Sequence, residues 1–300
     1  DWLEGGGGND SYFFDIGDGI DRITDAASAG AGNEIIFGSS IIASDLRLDL
    51  APDESNLTLS DLLLRVGTNG DAIQLDLFDR TNLSGPHTVE TFRFADGSAL
   101  TYQQLLSRGF DLVGTDGDDH IEGTEVVDRI MGGGGSDVLW GGMGDDQLDG
   151  GGGNDRLLGG QGNDTYLFGP GSGRDTILEI QGSQDVILMA PDVAPSDVVV
   201  TRQDNDLVLS LNGGADQLTV SLYFLASPLQ IEQIQFADGT VWDASGIQER
   251  LRPTIIGTAD SDMLVGTAEH DRLLGLSGDD RLEGLAGNDE LDGGRGADHL

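Results

Sequence analysis

The sequence predicts an all-β protein in which blocks of parallel β-roll, a form of β-solenoid, alternate with β-rich spacer modules. Three observations lead there. A nine-residue period, with aspartate sixth and an apolar residue eighth, recurs in three stretches of the chain. Between them, apolar residues alternate with polar ones and are punctuated by glycine turns. Finally, 48 glycines and 54 acidic residues against 15 basic ones leave 300 residues with a net charge of -39. Such a chain repels itself when compact and needs a source of stability beyond apolar burial.

Residues 1–32 open the chain with the tail of one repeat followed by GGGGNDSYF. Asp10, with Gly6 and Gly8 before it, and Asp21 on the next loop are its candidate metal ligands. Residues 33–110 read as a spacer ending in FRFADGSALT from Phe92, with Thr101 a plausible N-cap for a short helix over YQQLL.

Residues 111–182 hold the clearest block. From Gly114 the chain divides without a gap into GTDGDDHIE, GTEVVDRIM, GGGGSDVLW, GGMGDDQLD, GGGGNDRLL and GGQGNDTYL. The sixth position is Asp119, Asp128, Asp137, Asp146, Asp155 and Asp164; the eighth is Ile121, Ile130, Leu139, Leu148, Leu157 and Tyr166. The longer loop GPGSGRD then carries Asp175.

Residues 183–252 form a second spacer. Apolar Leu207, Leu209 and Leu211, a turn at Asn212-Gly213-Gly214, then Leu218, Val220 and Leu222 predict a β-hairpin. Residues 253–300 resume the repeat as GTADSDMLV, GTAEHDRLL, GLSGDDRLE, GLAGNDELD and GGRGADHL, with Asp262, Asp271, Asp280, Asp289 and Asp298 sixth. A longer period relates the halves: Asn9 matches Asn163, FRFADGSALT matches IQFADGTVWD at Ile234, and Gly114 matches Gly257. Beginning and ending inside a repeat, the sequence reads as a piece of something longer.

The nonapeptide has a physical logic. Glycines in the first four positions can take φ > 0 and turn successive carbonyl oxygens to one side. Those serving this role are Gly117, Gly133, Gly135, Gly142, Gly144, Gly151, Gly153, Gly160, Gly162, Gly278, Gly287 and Gly296. The aspartate closes an oxygen cage that suits calcium, which takes about 6–8 hard oxygens in a forgiving geometry, better than magnesium. The last three residues form a short strand whose middle side chain alone faces inward. Two nonapeptides complete one coil, so loops eighteen residues apart stack about 4.8 Å apart. Calcium is then expected between Asp119 and Asp137, Asp137 and Asp155, Asp146 and Asp164, Asp280 and Asp298, and Asp155 and Asp175. Sites using Asp128, Asp262 and Asp271 should be weaker, because Val126, Asp260 and Glu269 replace glycine at position four.

These nonapeptides resemble the GGxGxDxUx repeats of RTX proteins, the haemolysin-type calcium-binding repeats, and the spacers resemble the haemolysin-type calcium-binding-related region that interrupts them. The resemblance implies several bound calcium ions, export of the unfolded chain by type I secretion machinery of Gram-negative bacteria, and folding outside the cell. It implies no catalytic role.

Other classes are excluded on chemistry. The charge opposes nucleic acid and anionic membranes. No cysteine is present to staple the chain, no apolar run approaches a membrane span, and the start has neither the basic nor the apolar region of a signal peptide. A flexible glycine linker would lack the aspartate period, GGGGND lacks the Gly-Lys-Ser/Thr of a phosphate loop, and no loop has the spaced acids of an EF-hand. His87, His120, His270 and His299 are scattered, and no serine occupies a GxSxG elbow. The expected function is therefore a calcium-responsive, non-catalytic segment of a large secreted or surface protein. The alternatives are the repeat region of a pore-forming toxin or secreted enzyme, and a spacer that binds a sugar or receptor.

Overall fold

The computed structural model describes residues 1–25, 32–51, 60–80, 82–85, 87–179, 184–225, 231–268 and 270–300. Glu269, one of the three position-four departures, lies outside them. The chain forms two compact units, Asp1–Val199 with Gln203–Val241, and Val200–Arg202 with Trp242–Leu300.

In the first unit, position eight of each repeat builds the core. Strands Asp128–Gly135, Gln147–Gly153 and Thr165–Phe168 stack in parallel, putting Ile130 over Leu148 and Leu148 over Tyr166. The column continues into the spacer at Ile187 and Ile234. Across the roll, strands His120–Glu122, Val138–Met143, Arg156–Gln161 and Arg174–Ile177 stack Ile121, Leu139, Leu157 and Ile177, followed by Val220. From Leu139 and Ile130 onward, the residues of both columns are at most 1 % exposed. Spacer strands thus extend the same sheets as the repeats.

Several strands of the central block exceed the expected three residues. Gly133, Gly134 and Gly135 pair with Gly151, Gly152 and Gly153, because loops without β-carbons approach closely enough to continue the ladder. Three-residue strands do occur in the second unit, at Met263–Val265, Arg272–Leu274, Arg281–Glu283 and Glu290–Asp292. There Leu264, Leu273 and Leu282 form the core, with Ile255 and Leu291 against it.

Spacer elements follow local chemistry. Thr101 accepts from the Gln104 N–H and Gln104 accepts from the Thr101 N–H, capping the helix Tyr102–Leu106. Asp243 caps Ala244–Arg250 through the Gly246 N–H. Asp206–Leu211 and Asp216–Val220 form the antiparallel hairpin, pairing Leu207 with Val220. Leu222 is not part of it: the strand ends at Val220, and Leu222 turns at φ 60°. The first spacer instead folds into a three-stranded antiparallel meander, Leu46–Ala51, Ser60–Val66 and Asp71–Phe78. Among the described residues, no helix is long and apolar enough to cross a membrane.

Candidate metal centres

In the central block the GG loops lie on their counterparts eighteen residues earlier, so closely that a side chain at position two or four would overlap backbone. A β-carbon on Gly133 would lie 2.0 Å from the Thr115 carbonyl oxygen, and one on Gly151 would lie 2.1 Å from that of Gly133. The loops thus meet backbone to backbone, the Thr115 and Thr124 carbonyls accepting from the Gly134 and Met143 N–H groups of the next loop. Positions two and four take left-handed φ in the GG loops, as at Gly142 (109°) and Gly144 (116°). Gly117 departs from this expectation: its φ is not left-handed, and its N–H instead donates to Thr115 Oγ1.

The aspartates form a ladder. On one edge the N–H of Asp119, Asp137 and Asp155 donates to Oδ1 of Asp137, Asp155 and Asp175 in turn. On the other, Asp128 donates to Asp146, Asp146 to Asp164, and Asp164 to Asp185, all at 2.8–2.9 Å. In the second unit Asp262 pairs with Asp280, Asp271 with Asp289, and Asp280 with Asp298. Asp10 donates to Asn33 Oδ1, and Asp21 accepts from the Asp1 nitrogen.

The second carboxylate oxygen divides the loops into two classes. Where position two is threonine, that residue's N–H and Oγ1 both donate to Oδ2: Thr115 to Asp119, Thr124 to Asp128, Thr258 to Asp262, Thr267 to Asp271. Where position two is glycine or leucine and the aspartate is buried, Oδ2 of Asp137, Asp146, Asp155, Asp164 and Asp280 has no hydrogen-bond partner, whereas Asp289 and Asp298, which follow Leu285 and Gly294, are only half-buried. A buried carboxylate oxygen left so is costly unless a cation meets it. The residues present therefore fit calcium: Asp137, Asp146, Asp155, Asp164 and Asp280 would hold it, with the loop carbonyls completing the shell. The structure separates the loops by threonine at position two, whereas the sequence argument separated them by the lack of glycine at position four. Asp119 consequently falls with Asp128, Asp262 and Asp271 among the self-closed loops.

Residues outside the repeat also join the ladder and were not foreseen. Asp185 receives the Asp164 N–H, and its own N–H donates to Glu232. Asp71 accepts from the N–H groups of Gly17 and Gly19, as Asp216 does from Gly171 and Gly173. Each carries the same sequence signal, an aspartate two residues before an apolar residue: QDVI for Asp185, GDAI for Asp71 and ADQL for Asp216.

Burial, with like-charged neighbours adding to it at most of these positions, raises the carboxyl pKa values. Burial first, then repulsion from Asp128 and Asp164, takes Asp146 to about 8. Burial and Asp155 take Asp175 to about 8. Asp128 and Asp185 rise to about 7 and Asp164 to about 6, burial again the largest cause. The folded pKa values exceed the ordinary 3.8, so without metal the folded state binds more protons than the unfolded one. That proton-linked stability is complete below about pH 4 and disappears as pH rises through 6 to 8. In EGTA, far-UV circular dichroism should therefore show more β-structure at pH 5 than at pH 8; equal or greater order at pH 8 would contradict this. In calcium the sign reverses, because protons compete with the ion.

In the second unit, position two is Leu276 (φ 73°) and Leu285 (φ 71°), left-handed residues that carry side chains. Each conformation costs about 1–2 kcal/mol relative to glycine. Leu276→Gly and Leu285→Gly should each lower the calcium needed to order this unit, as read by a calcium titration; a higher requirement would contradict the assignment of strain.

Two family models match the chain. The RTX calcium-binding nonapeptide repeat matches within 111–177 and 256–300, and the haemolysin-type calcium binding protein related domain matches 61–104 and 206–245. No curated protein matches. Among solved structures, the chain is similar to the AlgE6R3 subunit of the Azotobacter vinelandii mannuronan C5-epimerase, with 30% identity over 42% of this chain and 81% of that one, at a TM-score of 0.32. It is also similar to the extracellular lipase LipA from Serratia marcescens, with 21% identity over 77% of this chain and a TM-score of 0.32. It spans 38% of the lipase chain.

Proposed function

Since the chain belongs to the RTX calcium-binding nonapeptide repeats, with haemolysin-type related domains between its repeat blocks, we propose that it is a non-catalytic segment of a larger secreted or cell-surface bacterial protein whose folding is switched on by extracellular calcium. Its repeats bind calcium ions. We take residues 1–32, 111–182 and 253–300 as the ion-binding blocks and 33–110 and 183–252 as the modules between them. The same role serves a surface array, a toxin or an exported enzyme.

One observation carries this reading: the buried Oδ2 atoms of Asp137, Asp146, Asp155, Asp164 and Asp280, which meet no donor. Extracellular calcium modules bind with Kd of about 10⁻⁴–10⁻³ M, so cytosolic calcium leaves such sites empty. A net charge of -39 then keeps the chain expanded and fit for threading through type I secretion machinery. Outside, each ion that binds only the folded state adds RT ln(1 + [Ca]/Kd) to its stability.

Small-angle scattering tests this. A 300-residue unfolded chain has a radius of gyration of roughly 60 Å, far above that of a folded one. At pH 8 the radius should be large in EGTA and fall sharply in millimolar calcium, with equimolar magnesium ineffective. Equal radii in EGTA and calcium would overturn the proposal.

A further inference from the structure

We propose that Glu179 joins Asp164 and Asp185, at the end of the aspartate ladder, in one divalent-cation site that no nonapeptide pair supplies, tying the end of the central repeat block to the first strand of the spacer that follows. The nature of the ion rests on the calcium reading of the loops, with which the site shares Asp164; the places of Glu179 and Asp185 are separate observations. Asp164 ends the repeat period, Glu179 follows the strand Arg174–Ile177, and Asp185 precedes the strand Val186–Met189. The three residues are each 0 % exposed, and one carboxylate oxygen from each lies within 4.8 Å of the others. Oδ2 of both Asp164 and Asp185 is buried and meets no donor. Opposite ligands of calcium stand about 4.6–5.2 Å apart, so three oxygens within 4.8 Å of one another fit one calcium shell. Oxygen-only, carboxylate-rich donors favour a hard cation over zinc or copper.

The chain contains its own comparison. In the first half Asp10, Asp25 and Asn33 occupy the corresponding places. Tyr12 donates to Asp25 as Tyr166 donates to Glu179, and the Asp10 N–H meets Asn33 Oδ1 as the Asp164 N–H meets Asp185 Oδ1. There the third carboxylate is an amide, and Asn33 Nδ2 donates to Asp25 Oδ2 at 2.8 Å and to the Thr88 carbonyl at 3.0 Å. Oδ1 of Asp25 and Oδ2 of Asp10 stay without donors, so that junction keeps two carboxylates and one fewer negative charge. The first copy places an amide nitrogen beside Asp25 where the second places a third carboxylate. Three fully buried carboxylates in contact cannot all remain charged unless a cation lies among them.

The test counts ions. Calcium bound per chain is measured at saturation by equilibrium dialysis with elemental analysis, on the full chain and on Asp185→Asn. D185N copies the amide junction of the first half, so it should keep the calcium-loaded circular dichroism spectrum while binding one ion fewer. The reciprocal Asn33→Asp should gain one. Should D185N fail to fold, Glu179→Gln, which still accepts from Tyr166, gives the same count. An unchanged count in a folded D185N or E179Q, in a parent chain that binds calcium, means that protons fill this junction and the proposal is wrong. A parent chain that binds no calcium would remove the loop reading as well.

Discussion

Alanine at Gly153 is expected to prevent ordered stacking of the central block at calcium concentrations that fold the parent chain. Gly153 has φ 155°, and a β-carbon there would lie 1.5 Å from the Gly135 carbonyl oxygen. No rotamer relieves that overlap, because the β-carbon has no freedom of its own. The loops must separate, and the gap that should hold calcium opens with them. The loss is on the order of 3 kcal/mol or more, from backbone strain together with the overlap. Shared among several ions taken up in one step, it shifts the calcium midpoint roughly threefold to tenfold upward. Gly171→Ala is the control: φ is 92° there, and nothing lies within 4 Å of the added atom. It should shift the midpoint far less. Equal midpoints for G153A and the parent would mean that the loops do not stack as described.

The second large effect is expected from Asp155→Ala. Asp155 Oδ1 accepts the Asp137 N–H, its own N–H donates to Asp175, and its Oδ2 is one of the orphaned oxygens. Removing the carboxylate weakens the ion positions above and below it, so the midpoint should rise about tenfold and the ion count fall. The calcium-free chain responds the other way. Burial, with repulsion from Asp137 added, raises the Asp155 pKa, so deletion removes a buried charge and its repulsion in EGTA and leaves that state no less ordered. Asp155→Asn keeps an acceptor for the Asp137 N–H and should fall between. A variant that lost order equally with and without calcium would show that Asp155 serves packing alone.

How far these sites are legible in the sequence depends on chain distance. Strict spacing announces the columns of Leu139, Leu148 and Leu157, because a period of nine with two repeats per coil fixes what lies on what. It also places Asp137 over Asp155. Turn chemistry announces the Asn212–Gly214 hairpin turn, and the Thr101 cap follows from side-chain preference. Two things were not legible. One is that threonine at position two satisfies Asp119 from within its own loop, a competition between a local donor and an ion that periodicity does not express. The other is the junction of Asp164 with Glu179 and Asp185, where loop lengths leave the eighteen-residue spacing and hydrogen-bond partners follow from three-dimensional packing alone. Likewise, nothing in the spacing says that Asp71–Phe78 joins the sheet begun at Ile20–Ile23.

The most direct test of the account is a calcium titration of the intact chain from EGTA at pH 8, followed by far-UV circular dichroism. The account predicts a coil spectrum in EGTA and a single cooperative transition to β-structure as calcium rises, reversed by chelation and not reproduced by magnesium. A chain already as rich in β-structure in EGTA as in calcium would contradict it, since the buried aspartates would then be accommodated without any ion.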